Sequence, residues 1–294
     1  MNTQKQLQRS GPALPANFSS GTFKTLVVVA LLVLVILNWN EFIRVFVNAL
    51  LWIYDAVGDN FGVAIILFTI LVRAITWPIN AQQMKGAQAM QEMQNDKEWQ
   101  AIQKKYAKDR EKLAQEQMRF YNQRGISPFA SCLPTLIQFP IIIALYQSIT
   151  RALAATPDSL LQLARSIYPF LSVENIIPLN SRFLWMDLSR PESVQAFGFA
   201  LPTLAIVVAI TTYIQSKLMT PASTNPNDQA AAMSSTMTLT MPLMLGYFAL
   251  TFASALSVYF ITSNVLGIVQ YALQGKANWR NLLPGGNKPV PPKK

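Results

Sequence analysis

Arg73 stands in the middle of the apolar run AIILFTILVRAITWP, residues 64–78, and the residues sharing its side of a helix are polar. Thr69, Thr76 and Asn80 follow at steps of four, three and four around it, which on a 3.6-residue helix draws one stripe. An arginine at the centre of a membrane helix costs about 2.5–3.5 kcal/mol, while the eleven Phe, Val, Ile and Leu residues between Phe61 and Ile79 return about 3–6 kcal/mol. The segment can enter a bilayer, but its charge must face something polar. Other apolar segments supply Gln138, Thr211, Thr212, Gln215, Thr262, Ser263 and Asn264, and a hydrated groove open to the cytoplasm would satisfy all of them. The chemistry available to such a stripe is attraction of anions and retention of water. A competing reading is that Arg73 cross-links helices while the threonines bond back to their own helix.

Bond-making chemistry finds no support. All fourteen Asp and Glu lie outside the apolar spans, the chain has no histidine, and Cys132 is its one cysteine. The spans therefore hold no paired carboxylates, no serine beside a base and no metal-ligand set, so neither an enzyme nor a cofactor is expected. No Gly-rich phosphate loop is found, so no ATP hydrolysis is expected either. With no carboxylate beside it in the membrane, Arg73 must find its partner in water or in a transient anion. That weakens a proton-coupled transporter, although a small-solute transporter using the same cavity stays open, as does an assembly subunit with no groove activity.

The elements that would hold this stripe are membrane helices. The chain of 294 residues is 51% hydrophobic and 13% charged, the balance of a polytopic membrane protein. We read an all-α fold with about six transmembrane helices. A polar tail, residues 1–24, precedes an anchor at 25–40 with its apolar core at Leu26–Leu37. An interfacial amphipathic helix follows at 41–56, with Phe42, Val45, Phe46, Ala49, Leu50 and Ile53 on its apolar face and Glu41, Arg44, Asn48 and Asp55 off it.

The remaining five spans belong to a core at 57–275: the Arg73 segment, Ile126–Ile149 with Pro128, Pro134 and Pro140, Ala196–Ile214, and Met237–Leu273. This last region would make a helix of about 55 Å, too long for one crossing, so it divides near Phe252, Ala253 and Ser254. Inside the core, 82–124 reads as a charged helical hairpin turning at KKYAKDREK, and 152–195 as an outer loop rich in Pro, Asn and Ser. Met84, Met90, Met93 and Met118 with Trp99, Ile102 and Tyr106 could form the seam of this hairpin, or a pliable surface that greets hydrophobic segments. A basic tail at 276–294 reads as disordered, able to touch RNA or anionic lipid only weakly.

The net charge of +10 is unevenly spread: eighteen of the 24 Lys and Arg fall in segments placed inside, five outside, and Arg73 between. Both termini should then be cytoplasmic by the positive-inside rule.

The ordered set FGVAIILFTILVRAITWPIN, a charged hairpin, SPFASCLPTLIQFPIIIALY, FLWMDLS and VYFITSNVLGIVQ resembles the YidC/Oxa/Alb family of membrane protein insertases, over about Glu41 to Leu273. The resemblance implies a hydrophilic intramembrane groove, open to cytoplasm and lipid, in which Arg73 is the family arginine and Thr69 the threonine one turn earlier. It implies that Phe260, where relatives often carry Tyr or Trp, is the aromatic position of the last span that contacts passing substrate. Thr76, Trp77, Asn80, Gln138, Thr211 and Gln215 complete the expected groove. The implied clients are nascent membrane proteins, with the ribosome and the Sec translocon as partners, lipid as the destination and the bacterial plasma membrane as the location. The chain shows no exported domain between the first span and the interfacial helix, no lipoprotein cysteine and no long basic coiled coil in its tail.

Overall fold

Apolar residues at helical spacing, broken by short polar or proline-bearing stretches, give a chain built mainly of helices. The computed structural model describes residues 30, 33–94, 96–106, 109–124, 133–153, 156–171, 176, 179–196, 199–219, 229–275 and 279–282. Residues 25–29 and 31–32 of the expected anchor, Cys132, the 220–228 loop and nearly all of the basic tail lie outside them, as do the side chains of Met84, Met90 and Met93. Contacts divide the chain into residues 1–42 and 43–294; all that follows concerns the second unit, apart from the first turn of α1.

Helix α1 (Trp39–Ala56) covers the expected interfacial segment, but its buried face is rotated from the expected one. Ile43, Val47, Leu50, Leu51, Ile53 and Tyr54 are buried, whereas Val45 and Trp52 are exposed. Asn48, expected off the apolar face, is buried because both ends of its amide find partners. Its Nδ2 donates to the Ser166 carbonyl at 2.9 Å and its Oδ1 accepts from the Tyr168 N–H at 2.6 Å. Arg44 adds a bond from Nε to the same Ser166 carbonyl and lies over the Tyr168 ring. Replacing Asn48 by leucine should strand the Tyr168 N–H and cost about 1–3 kcal/mol. A lowered thermal midpoint in detergent would register it, and an unchanged midpoint would refute the role given to the amide.

Helix α2 (Phe61–Gln94) carries the Arg73 stripe and continues past Pro78 well into the segment read as the hairpin. The stretch 81–94 holds no proline, and its Ala, Gln, Met, Lys and Glu outweigh the single Gly86. The hairpin proper is shorter than expected: α3 (Lys97–Lys105) and α4 (Arg110–Gln123), turning within 104–112 as read. Its seam contains Trp99 and Ile102 as expected and adds Phe120 and Leu113. Trp99 and Phe120 are buried with ring centroids 5.7 Å apart, flanked by Ile102 and Leu113, while Met118 is exposed. Arg124 closes the base, reaching Asp96 Oδ2 at 2.6 Å.

Asp96 also caps α3 through the Glu98 N–H, which chiefly holds its carboxyl below the usual value, with Arg124 adding to the effect. A lowered folded-state pKa makes this cap complete above the ordinary carboxylate range, and the contribution is lost as pH falls through the lowered value. A nitroxide at Lys97 should therefore keep the same mobility from neutral pH down to about 5 and loosen below about 4. Loosening already between pH 6 and 8 would contradict the assignment to Asp96.

Helix α5 (Leu133–Ala152) contains Pro140, and α6 (Pro157–Ser166) follows with a capping box at Thr156 and Ser159. The outer loop thus has a helix of its own. It also has a small antiparallel hairpin, β1 (Arg182–Phe183) with β2 (Met186–Asp187), pairing Arg182 with Asp187 and Phe183 with Met186. A second hairpin, β3 (Val194–Ala196) with β4 (Phe199–Leu201), straddles the expected boundary between loop and span, and its residues from Ala196 on are ones read as the start of the span. Helix α7 (Thr203–Met219) begins only after it: Pro202 disfavours helical backbone before itself, and Glu192 caps the helix from outside.

Helices α8 (Gln229–Thr251) and α9 (Ser254–Leu273) separate at 252–253, as expected. Helix α7 packs on α8 and α9, and α9 also on α2. The α7–α8 seam is close: a Cβ added at Gly246 would stand 3.2 Å from that of Ala209, the small-residue contact that membrane helices favour.

Among the described residues, Phe61–Pro78 and Ser254–Leu273 are each long and apolar enough to cross a membrane. The pair Gln138–Ala152 and Pro157–Ser166 qualifies only jointly and is bent by 118°, and Thr203–Met219 and Thr238–Thr251 are apolar but shorter.

Candidate functional site

Midway along α2 the arginine meets the last helix. Arg73 Nε donates to Ser263 Oγ at 3.1 Å, and Nη2 donates to Ser263 Oγ at 2.6 Å and to the Ser263 carbonyl at 2.9 Å. A guanidinium can make this fork because its donors are planar and fixed. The side chain is only partly buried. Among the described residues no ion pair includes it.

Two neighbours complete the cation's surroundings. Tyr259, one turn before Ser263 on α9, accepts at its hydroxyl from Gln138 Nε2 of α5 at 3.0 Å, tying a third helix to the site. Gly267, one turn after, leaves room for α7: a Cβ there would stand 2.3 Å from Gln215 Nε2 and 3.8 Å from Arg73 Nη2. The glycine is thus what lets the Gln215 amide approach the arginine. Four helices, α2, α5, α7 and α9, contribute to one polar locus.

The rest of the stripe behaves differently. Thr69 is fully buried and donates to the Ile65 carbonyl at 2.6 Å. Thr76 donates to the Val72 carbonyl, Thr211 to that of Val207 and Thr262 to that of Val258. The back-bonding considered for the threonines is therefore what the structure contains. Asn80 lies one turn beyond Thr76, 3.5 Å from its hydroxyl. Asn264 Nδ2 donates to Thr212 at 2.8 Å and Thr211 at 3.1 Å, a second polar link between α9 and α7. Two buried groups on α9, Ser257 Oγ and Gln270 Nε2, have no protein partner.

Trp77 is exposed on α2. Phe260 is buried, with its ring 5.5 Å from that of Tyr259. Arg73, Gln138 and Gln215 are thus gathered directly; Thr69 and Phe260 are packed inside, and Thr76, Asn80, Trp77 and Thr211 lie along the helices around them. Sequence reading put Ser263 among the polar span residues without ranking it, and it passed over Tyr259 and Gly267. The signal for these was present in VYFITSNVLGIVQ: positions 259, 263 and 267 fall at steps of four, on one face.

Among the described residues no cluster of His, Cys, Asp or Glu could hold a metal ion. The locus can bind an anion or water at a fixed cation and can accept hydrogen bonds.

A family model described as 60Kd inner membrane protein matches residues 52–279. A membrane protein insertase YidC of Oceanobacillus iheyensis is 34% identical over 248 residues, covering 81% of this chain and 84% of that protein. The membrane protein insertase MisCA of Bacillus subtilis is 32% identical over 259 residues, covering 85% of each. In fold, the chain is similar to a solved structure described as active YidC insertase with the first transmembrane domain resolved. The TM-score is 0.50 at 24% identity, over 80% of this chain and 46% of that one.

Proposed function

The chain belongs to the 60Kd inner membrane protein family, that of the YidC-like insertases, and from this premise we propose that it takes nascent transmembrane segments into a polar intramembrane groove centred on Arg73 and releases them into lipid. The observation that carries this reading is a half-buried guanidinium whose bonded partners are neutral oxygens of one serine. An arginine placed in a span without a fixed anion keeps most of its charge available to a passing one. Arg73 lies about 18 Å along α2 from Phe61, in the inner half of a ~30 Å core if the amino end of α2 faces outward. A hydrated pocket at that depth shortens the apolar path which a client's polar outer end must cross, and the cation favours acidic ends.

The client's own apolar segment then partitions into lipid, at roughly 0.3–0.6 kcal/mol for each central Leu, Ile, Phe or Val. Over a whole span this is enough to drive the step without ATP. The remaining boundaries read from the sequence are kept as part of this proposal: the anchor and five core helices as six crossings, α1 along the outer interface, the α3–α4 hairpin and both termini in the cytoplasm, the membrane being the bacterial plasma membrane. Thr69, Thr76, Trp77, Asn80, Gln138, Thr211, Gln215 and Phe260 line or brace the groove. The ribosome and the Sec translocon are its proposed partners, the hairpin and basic tail being the parts with charge to meet them.

Photo-crosslinking tests the reading. A photoreactive residue at Phe260, with a control at the exposed Val207 of α7, is presented to ribosome-stalled single-span chains in native membranes. Adducts at 260 that arise only within a window of chain lengths are expected, with none of that length dependence at 207. The absence of adducts at 260 at every length, in protein that is folded and inserted, would move a solute transporter ahead of the insertase.

A further inference from the structure

The β1–β2 hairpin turns through two residues, Leu184 and Trp185, and both are apolar and outward-facing: 73% and 62% exposed. The turn is unusual in chemistry as well as exposure. Leu184 has φ of +53°, a left-handed conformation that is costly for a residue with a branched side chain. A water-facing turn would normally carry Gly, Asn or Asp here.

The hairpin is held firmly from below. The Phe183 ring lies on Gly62 in the first turn of α2, so closely that a Cβ at Gly62 would stand 2.1 Å from Phe183 Cγ. Met186 and Leu188 are buried. The carbonyls of Leu188 and Arg190 accept from the N–H groups of Ala255 and Ser254, capping α9. Glu192 accepts from the Leu204 N–H and the Thr203 hydroxyl, capping α7, and its Oε1 also accepts from the Trp185 indole at 3.2 Å. Burial alone would push the Glu192 carboxyl up, yet these hydrogen bonds together hold it below the usual range, so it stays ionised at the helix end.

One short loop therefore touches the amino ends of α2, α7 and α9, and α2 and α9 are the two helices long and apolar enough to cross a membrane on their own. The level at which both begin is the level of the membrane–water boundary, and the tip stands there. Trp185 has its N–H satisfied toward the protein and its ring free, the arrangement that suits tryptophan to the headgroup region. Arg182 and Asp187 flank the tip and remain exposed to water.

We propose that Leu184 and Trp185 form a lipid-seated tip, which inserts into the outer headgroup region and fixes the height of the loop that caps α2, α7 and α9. The occupant is the bilayer itself. The tip is a two-residue turn at the end of a hairpin, and it continues the boundary already set by the two spans.

The full-length protein, with Cys132→Ser, is labelled with a nitroxide at Leu184→Cys and reconstituted in phosphatidylcholine–phosphatidylglycerol vesicles. Collision rates with oxygen and with a neutral nickel chelate give depth. Ser193→Cys serves as an aqueous reference and Ile75→Cys, exposed midway along α2, as a lipid reference. The expected oxygen-to-nickel ratio at 184 is severalfold above that at 193 and below that at 75. Trp185→Cys gives the same order if the Leu184 variant misfolds.

A ratio at 184 equal to that at 193 overturns the proposal by placing the tip in water. Protection from both reagents overturns it in favour of a protein cover, a client or a second copy. A water-like ratio at 75 would instead remove the reading of α2 as a span, and the proposal with it.

Discussion

Arg73→Glu should all but stop the insertion of clients with acidic outer ends while leaving neutral ones less affected. At an effective dielectric of about 20 and a separation of about 8 Å, one unit charge is worth about 2 kcal/mol to an approaching carboxylate, and reversal doubles the change. The resulting loss for a client with one acidic residue is about 10²–10³-fold at most, reduced where water screens the pair. Clients with neutral ends lose only what the link to Ser263 contributes to the geometry. Arg73→Lys keeps the charge but cannot fork to both Ser263 oxygens, so it should fall between wild type and glutamate. Protease protection of the translocated end in reconstituted vesicles reads all three. Equal loss for acidic and neutral ends would leave charge attraction without support, and full activity of the glutamate variant would remove Arg73 from the mechanism.

Gly62→Val is expected to be the most damaging single change around the β1–β2 hairpin. Three atoms of the Phe183 ring lie 2.1–2.7 Å from where a Cβ would stand, and none of them belongs to a flexible side-chain end. The ring must leave or the hairpin must lift, an overpacking cost of about 1–3 kcal/mol. Because the same loop caps α7 and α9, the damage spreads to helices that Gly62 does not touch. A drop of about 3–10 °C in the unfolding midpoint is expected in detergent. Adding Phe183→Ala should recover part of it, since the two changes meet at one contact. A wild-type midpoint for Gly62→Val alone would show that the ring yields without cost.

The helices were legible where periodicity was unbroken and the turn chemistry was local. The long run 237–273 had to divide, and the small residues at 253–254 marked where. The residues 194–201 were misleading because their Val, Ala, Phe and Leu suit a span and a half-buried strand equally; Pro202 and the distant Glu192 decide between them. Burial of Asn48 was beyond reach, since its partners at Ser166 and Tyr168 lie far along the chain. Arg73 announced itself by charge alone. The steps of four at 259, 263 and 267 mark one face of α9, but that this face meets Arg73 and Gln215 depends on the packing of α9 against α2 and α7. The hairpin seam was legible in part: Trp99 and Ile102 are in it as read, whereas Met118 is exposed and Phe120 and Leu113 come from the second helix, whose facing side only the packing reveals.

The threonines carry one more consequence. Each hydroxyl has a single hydrogen, and those of Thr76, Thr211 and Thr262 are spent on carbonyls of their own helices. What remains on each oxygen is acceptor capacity, part of it already used at Thr211 by Asn264 and at Thr76 by Asn80. A peptide leaving water brings the opposite need, a row of unsatisfied N–H groups. If the proposed groove holds a client, the oxygens that Thr76, Thr211 and Thr262 keep in reserve would meet that row as fixed acceptors near Arg73, each a temporary substitute for the water that the peptide has given up.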